Sequence, residues 1–170
     1  MIEITMVEPT VALYGPSYDQ TVEVLDEVIR ESGARYALLL DRKGFVLAHR
    51  RALWASKPPP LDSLATLVAN NAAAIQALAK ILGEAQFQEQ VHQGKDVGLF
   101  LEETGSLALL VIIFDSSAPL GRIKLFGKRA AKLLAKIAAE ATVAPDKLGI
   151  DSEYSEGASA LLDDLFGTSS

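Results

Sequence analysis

The stretch from Leu61 to Gly83, LDSLATLVANNAAAIQALAKILG, follows three consecutive prolines and holds no charged residue between Asp62 and Lys80. Pro58 to Pro60 exclude both a helix and a central strand, so the helical spacing after them starts afresh, and Gly83 closes it. A helix lying on one side of a small domain ordinarily shows Lys and Glu to water. This one shows Thr, Asn and Ala. On a wheel centred on Leu64, the residues Leu61, Leu67, Val68, Asn71, Ile75, Leu78 and Leu82 fall within about 60°, and that face is expected to cover a sheet. The opposite face gathers Thr66, Ala69, Asn70, Ala73, Ala77 and Lys80, with Gln76 at its border. Small uncharged side chains let another backbone approach and are cheap to desolvate, so this face is the expected contact platform. The competing reading is a surface helix rich in alanine because alanine is a strong helix former.

The rest of the chain supplies the sheet. Ser17 with Gln20 three residues on reads as a capping box, after which Val22, Leu25, Val28 and Ile29 repeat at helical spacing until Gly33. YALLLD and FVLAHRR flank Arg42, Lys43 and Gly44, a link short enough for a hairpin. FQEQVHQ, DVGLFLEE and SLALLVIIFD make three more strands. Ser117 and Pro119 open a last helix through about Ala141, with Leu120, Ile123, Phe126, Ala130, Leu133, Leu134 and Ile137 as its apolar stripe. The order α-β-β-α-β-β-β-α, with tight links between neighbouring strands, predicts an α/β (α+β) domain: a five-stranded antiparallel sheet with helices on its faces.

Charge divides the chain unevenly. Residues 1–142 hold 15 Lys and Arg against 16 Asp and Glu, whereas residues 143–170 hold one against six. The expected domain is therefore 1–142, followed by a flexible acidic tail with a short amphipathic motif at 159–167. There Leu161, Leu162, Leu165 and Phe166 cluster on one side and Asp163 and Asp164 on the other. No apolar run is expected to span a membrane and no leader is recognised, which places the chain in the cytoplasm. Absence of cysteine excludes thiol nucleophiles and zinc–thiolate sites, and a net charge of −6 argues against nucleic acid as a partner.

Catalytic patterns fail one by one. LGRIKLFGKR has five residues between Gly121 and Gly127 where a phosphate loop has four, and Arg129 stands where Ser or Thr must hold magnesium. His49 and His92 lie in separate strands without a partner motif. GPSYD and GASAL miss the nucleophile elbow. Asp26–Glu27 and Glu102–Glu103 are adjacent pairs, which diverge on a helix or a strand and read as solvated surface. No catalytic residue, metal site or cofactor is expected, so function must lie in contacts.

Two further segments suggest contacts. FQEQVHQ looks like a sheet edge lacking the Lys or Pro that usually blocks edge pairing, so Phe87, Gln88, Glu89, Gln90 and Val91 are the expected dimer interface; the competing reading is an edge covered by a loop of the same chain. The run Arg122, Lys124, Lys128, Arg129, Lys132 and Lys136 is either a solvated face or a dock for an acidic surface.

YALLLDRKGFVLAHR, LATLVANNAAAIQALAKILGE, FQEQVHQG and LVIIFDSSAPLGRIKL together resemble the Roadblock (dynein light chain type) family over about residues 14–140, and the closing SALLDDLFG is similar to the tail of a bacterial member. The resemblance implies a homodimer joined through its sheets, with paired second helices contacting a small Ras-like GTPase that governs cell polarity. It also implies GTPase activation without an arginine finger. On this reading Thr66, Ala69, Asn70, Ala73, Gln76 and Ala77, with Leu161, Leu162, Leu165 and Phe166 of the tail, touch the GTPase.

Overall fold

The computed structural model describes residues 11–87 and 89–147, with side chains described as far as residue 141. Its elements are α1 (Gly15–Ser32), β1 (Tyr36–Asp41), β2 (Val46–Arg51), α2 (Leu61–Ile81), β3 (Glu89–Gln93), β4 (Val97–Thr104), β5 (Ala108–Asp115) and α3 (Leu120–Lys147). The five strands form one antiparallel sheet in the order β2-β1-β5-β4-β3, the architecture the sequence predicts. Strands β2 and β3 are its two edges.

Side-chain alternation divides the core into two layers. Ala37, Leu39, Leu110, Ile112 and Phe100 face α1 and α3, together with Leu25, Ile123 and Leu134. Leu38, Leu40, Leu109, Val111 and Leu101 face α2. Because β1 and β5 are covered on both faces, they read as continuous apolar runs rather than alternating ones.

Local chemistry sets the element ends. Helix α1 begins two residues before the expected Ser17, with Tyr14 as N-cap. Ser17 Oγ accepts from Tyr14 N–H at 3.1 Å and donates to Tyr14 O at 2.8 Å, so Ser17 reaches back to the cap instead of being it. Between β1 and β2, the Asp41 carboxylate accepts from Lys43 N–H and Phe45 N–H, each at 2.9 Å. Gly44 (φ 92°) completes that turn, and a Cβ there would meet Thr66 Cα at 2.9 Å. The hairpin tip thus rests directly on the α2 backbone.

Helix α3 extends to Lys147, past the expected stop at Ala141. That stop rests on a change of composition, and the helix runs on through Pro145 into its last turn. Gly127, the second glycine of the failed phosphate-loop match, is buried against the Phe100 ring, where a Cβ would meet Cε1 at 2.6 Å. It brings α3 close to β4.

Candidate interaction face

Helix α2 packs on the sheet through a different arc from the one expected. The buried positions are Ala65, Val68, Ala69, Ala72 and Ala79, whereas Leu67, Leu78 and Leu82 are 67%, 45% and 64% exposed. At 100° per residue this arc is rotated by roughly 85° from Leu64. The reason is steric. Alanines let the helix axis approach the sheet closely, and the longer leucines then fit only along its flank. Ala69 is a correction in its own right: at 5% exposure it belongs to the buried side and leaves the proposed platform.

The other residues expected in the platform lie on the surface side of α2. Thr66, Asn70, Ala73 and Ala77 are exposed and Gln76 is half-buried, with Thr66 Oγ1 turned to Asp62 O at 2.9 Å. Beside them runs the uncovered flank of Leu67, Leu78 and Leu82, continued by Ile81, which is 81% exposed. That flank faces the β3 edge, since Asn71 Nδ2 on the same side donates to Gln90 Oε1 at 3.2 Å.

By length and composition α2 is apolar enough to cross a membrane, contrary to the reading that no segment is, yet only 28% of that window is buried. Its hydropathy resides in this open flank and in the alanine seam against the sheet.

Strand β3 is an edge, as expected, though shorter than FQEQVHQ. Of the expected interface residues, Glu89, Gln90 and Val91 are half-buried in β3, Phe87 precedes it, and Gln88 lies outside the described residues. Val91 packs towards the α1 and α3 layer. Glu89 is not a free charge: Lys124 Nζ lies 3.2 Å and Lys128 Nζ 2.8 Å from its carboxylate, and these lysines hold it below the usual carboxylate range. Two members of the α3 basic run are therefore engaged within the chain. Arg129 sits 5.6 Å over the Phe126 ring.

The adjacent acids of β4 diverge as expected, but neither is merely solvated surface. Glu103 pairs with Arg42. Glu102 opposes Glu89 across the ladder, has one buried oxygen without a hydrogen-bond partner, and is pushed up to about 7 by burial, with Glu89 and Glu103 adding to the shift against Lys128. The reason is α3, which covers that face of β4 where the sequence suggested open water. His49 and His92 occupy the opposite edge strands, roughly 19 Å apart at the usual strand spacing, so they form no joint site. Among the described residues no group of acids and histidines could hold a metal ion. The tail residues Leu161, Leu162, Leu165 and Phe166 lie outside the described residues.

Residues 20–114 match the Roadblock/LC7 domain. The chain belongs to that family. It is similar to the gliding protein MglB of Thermus thermophilus, at 68% identity over 79% of this chain and 100% of that one, with a TM-score of 0.77. A further MglB, solved in a tetrameric arrangement, is 69% identical over 79% of this chain and 99% of that one, also at 0.77. MglB of Myxococcus xanthus is 33% identical over 69% of this chain and 94% of that one, at 0.64. No curated protein matches the chain.

Proposed function

We propose that the chain is an MglB-type regulator: a homodimer that binds a small Ras-like GTPase of the MglA type in the cytoplasm, at a cell pole, and stimulates GTP hydrolysis in polarity or motility. The observation that carries this reading is the pairing of an unblocked β3 edge with the leucine flank of α2 beside it. Joining two β3 edges would continue the sheet across the dimer and bring the two flanks together. The platform residues Thr66, Asn70, Ala73, Gln76 and Ala77 of both copies would then lie side by side.

Stimulation on this reading is noncatalytic. The platform pushes the GTPase's own catalytic groups into place and supplies no arginine finger, and the tail residues Leu161, Leu162, Leu165 and Phe166 add a second contact. Arg50 is already paired with Asp26 at 2.7 Å. A finger typically adds roughly 10³- to 10⁵-fold to hydrolysis. Replacing Arg50, Arg51 and Arg122 singly by Ala should therefore leave most of the stimulation intact, and a loss of about two decades at any one would refute fingerless activation.

Mixing the purified chain with the small GTPase of the same cell and following phosphate release tests the whole reading. Accelerated release supports activation. Binding without acceleration would instead identify a Roadblock-type scaffold, the second reading.

A further inference from the structure

The connection between β2 and α2 is anchored from several directions. Ala52 N–H donates to Arg35 O at 2.8 Å, Ala55 N–H to Ala52 O at 3.0 Å, and the Tyr36 hydroxyl to Ser56 O at 2.5 Å. Ala52 and Ala55 are buried. A turn held in this way fixes the two residues between them outward: Leu53 is 102% and Trp54 59% exposed.

Beside Leu53 the α2 face of the sheet opens into a groove of about 380 Å³. Tyr36 and Leu38 line it from β1, Pro58 and Leu61 from the start of α2, and His49 and Arg51 from the edge strand. In the β1–β2 register His49 opposes Leu38 and Arg51 opposes Tyr36, so both basic side chains share that face. No acid lines the groove. An apolar floor with the Arg51 charge at its rim and no acid selects a short segment that is both apolar and acidic.

Residues 151–166 have that chemistry. They contain Asp151, Glu153, Glu156, Asp163 and Asp164, no Lys or Arg, and the apolar group Leu161, Leu162, Leu165 and Phe166. Reach is sufficient. Ala135 faces Gly105 at the β4–β5 turn, so α3 leads away from the sheet end opposite the groove. The 14 residues from Lys147 to Leu161 span up to roughly 45–50 Å when extended, against the roughly 18 Å that α3 runs on beyond Ala135 and a strand of about 20 Å to return along.

We propose that segment 151–166 of the chain itself docks in this groove, covering Leu53 and Trp54 with its leucines and Phe166 and setting Asp163 and Asp164 against His49 and Arg51.

Trp54 is the single tryptophan of the chain and adjoins Leu53 at the groove's margin, so its fluorescence reports a cover drawn over that turn. The test uses the full chain with no GTPase present, which keeps its outcome separate from that of the proposed activation. Wild-type Trp54 should emit at short wavelength and resist acrylamide. Leu162→Ser with Phe166→Ser should red-shift the emission and raise the quenching constant several-fold. Arg51→Glu should do the same, and adding Asp163→Lys and Asp164→Lys to it should restore the shielding. Equal quenching in wild type and in the Leu162→Ser, Phe166→Ser variant would overturn the proposal. So would shielding that persists in that variant and grows with protein concentration, because a second copy would then be the cover. Failure of the reversed charges to restore shielding would likewise contradict it.

Discussion

Gly127 and Glu102 show how much a single position on the α3 side of the sheet is constrained by its neighbours. At Gly127 the helix gains contact with Phe100 at the expense of helix propensity, which alone would favour Ala by about 1 kcal/mol. A Cβ placed 2.6 Å from the ring overrides that gain. Overpacking of this kind costs typically about 1–3 kcal/mol, so Gly127→Ala should lower the melting temperature measured by circular dichroism, and an unchanged or higher value would contradict the packing account. Glu102 carries a pH dependence. Its carboxyl is raised in the folded chain from 4.5 to about 7, so the protonated form is the one folding favours. Whatever stability this position contributes is present in full below about pH 4.5 and is lost as pH rises through about 7. Glu102→Gln should therefore melt above wild type at about pH 8, with the difference shrinking towards about pH 5. A difference independent of pH would mean that Glu102 is not desolvated.

Among the elements, α2 is where sequence reasoning and packing part company. Its existence, length and lack of charge are all legible, because prolines before it and helical periodicity within it leave little alternative. Its rotation is not. A wheel weights leucine over alanine as the buried residue, which holds when a helix has only its own domain to pack against. In α2 the alanine seam takes the sheet together with Leu61 and Leu64, while Leu67, Leu78 and Leu82 remain free, so a wheel puts Ala69 on the wrong side for the same reason that it does Leu67 and Leu78. The strands are more readable, since period-two alternation and doubly buried apolar runs have no rival arrangement. Ser17 lies one turn from its expected role because capping boxes are recognised from residue types, and a serine at N3 looks like one at the cap. If the free leucines meet a second copy, Leu67→Glu with Leu78→Glu should leave the fold intact and shift sedimentation from dimer to monomer. Continued dimerisation of that double variant would show that the flank is not the seam.

At the scale of the whole molecule, the account rests on a division of labour between two edges of one sheet. The β3 edge and the α2 flank are assigned to a second copy, the outward face of α2 to the GTPase, and the β2 edge to the chain's own acidic segment while no GTPase is bound, the tail leucines passing to the GTPase when it binds. Fold and family are readable in the sequence, while the partition of surfaces needs the positions of Glu89, Leu67 and Leu53 in space. The central claim is that the uncharged face of α2 is a contact surface, and Ala73 lies within it. Ala73→Arg puts a long charged side chain where a partner backbone must approach. Burying that charge unpaired costs several kcal/mol, which at about 1.4 kcal/mol per decade is enough to abolish micromolar binding. On an exposed helix the same change alters stability by at most roughly half a kcal/mol. The decisive measurement is phosphate release from the GTPase of the same cell, with wild type and Ala73→Arg compared at equal concentration and both shown to be folded. The account predicts stimulation by wild type and none by Ala73→Arg; equal stimulation by the two would show that the α2 face is alanine-rich surface and nothing more.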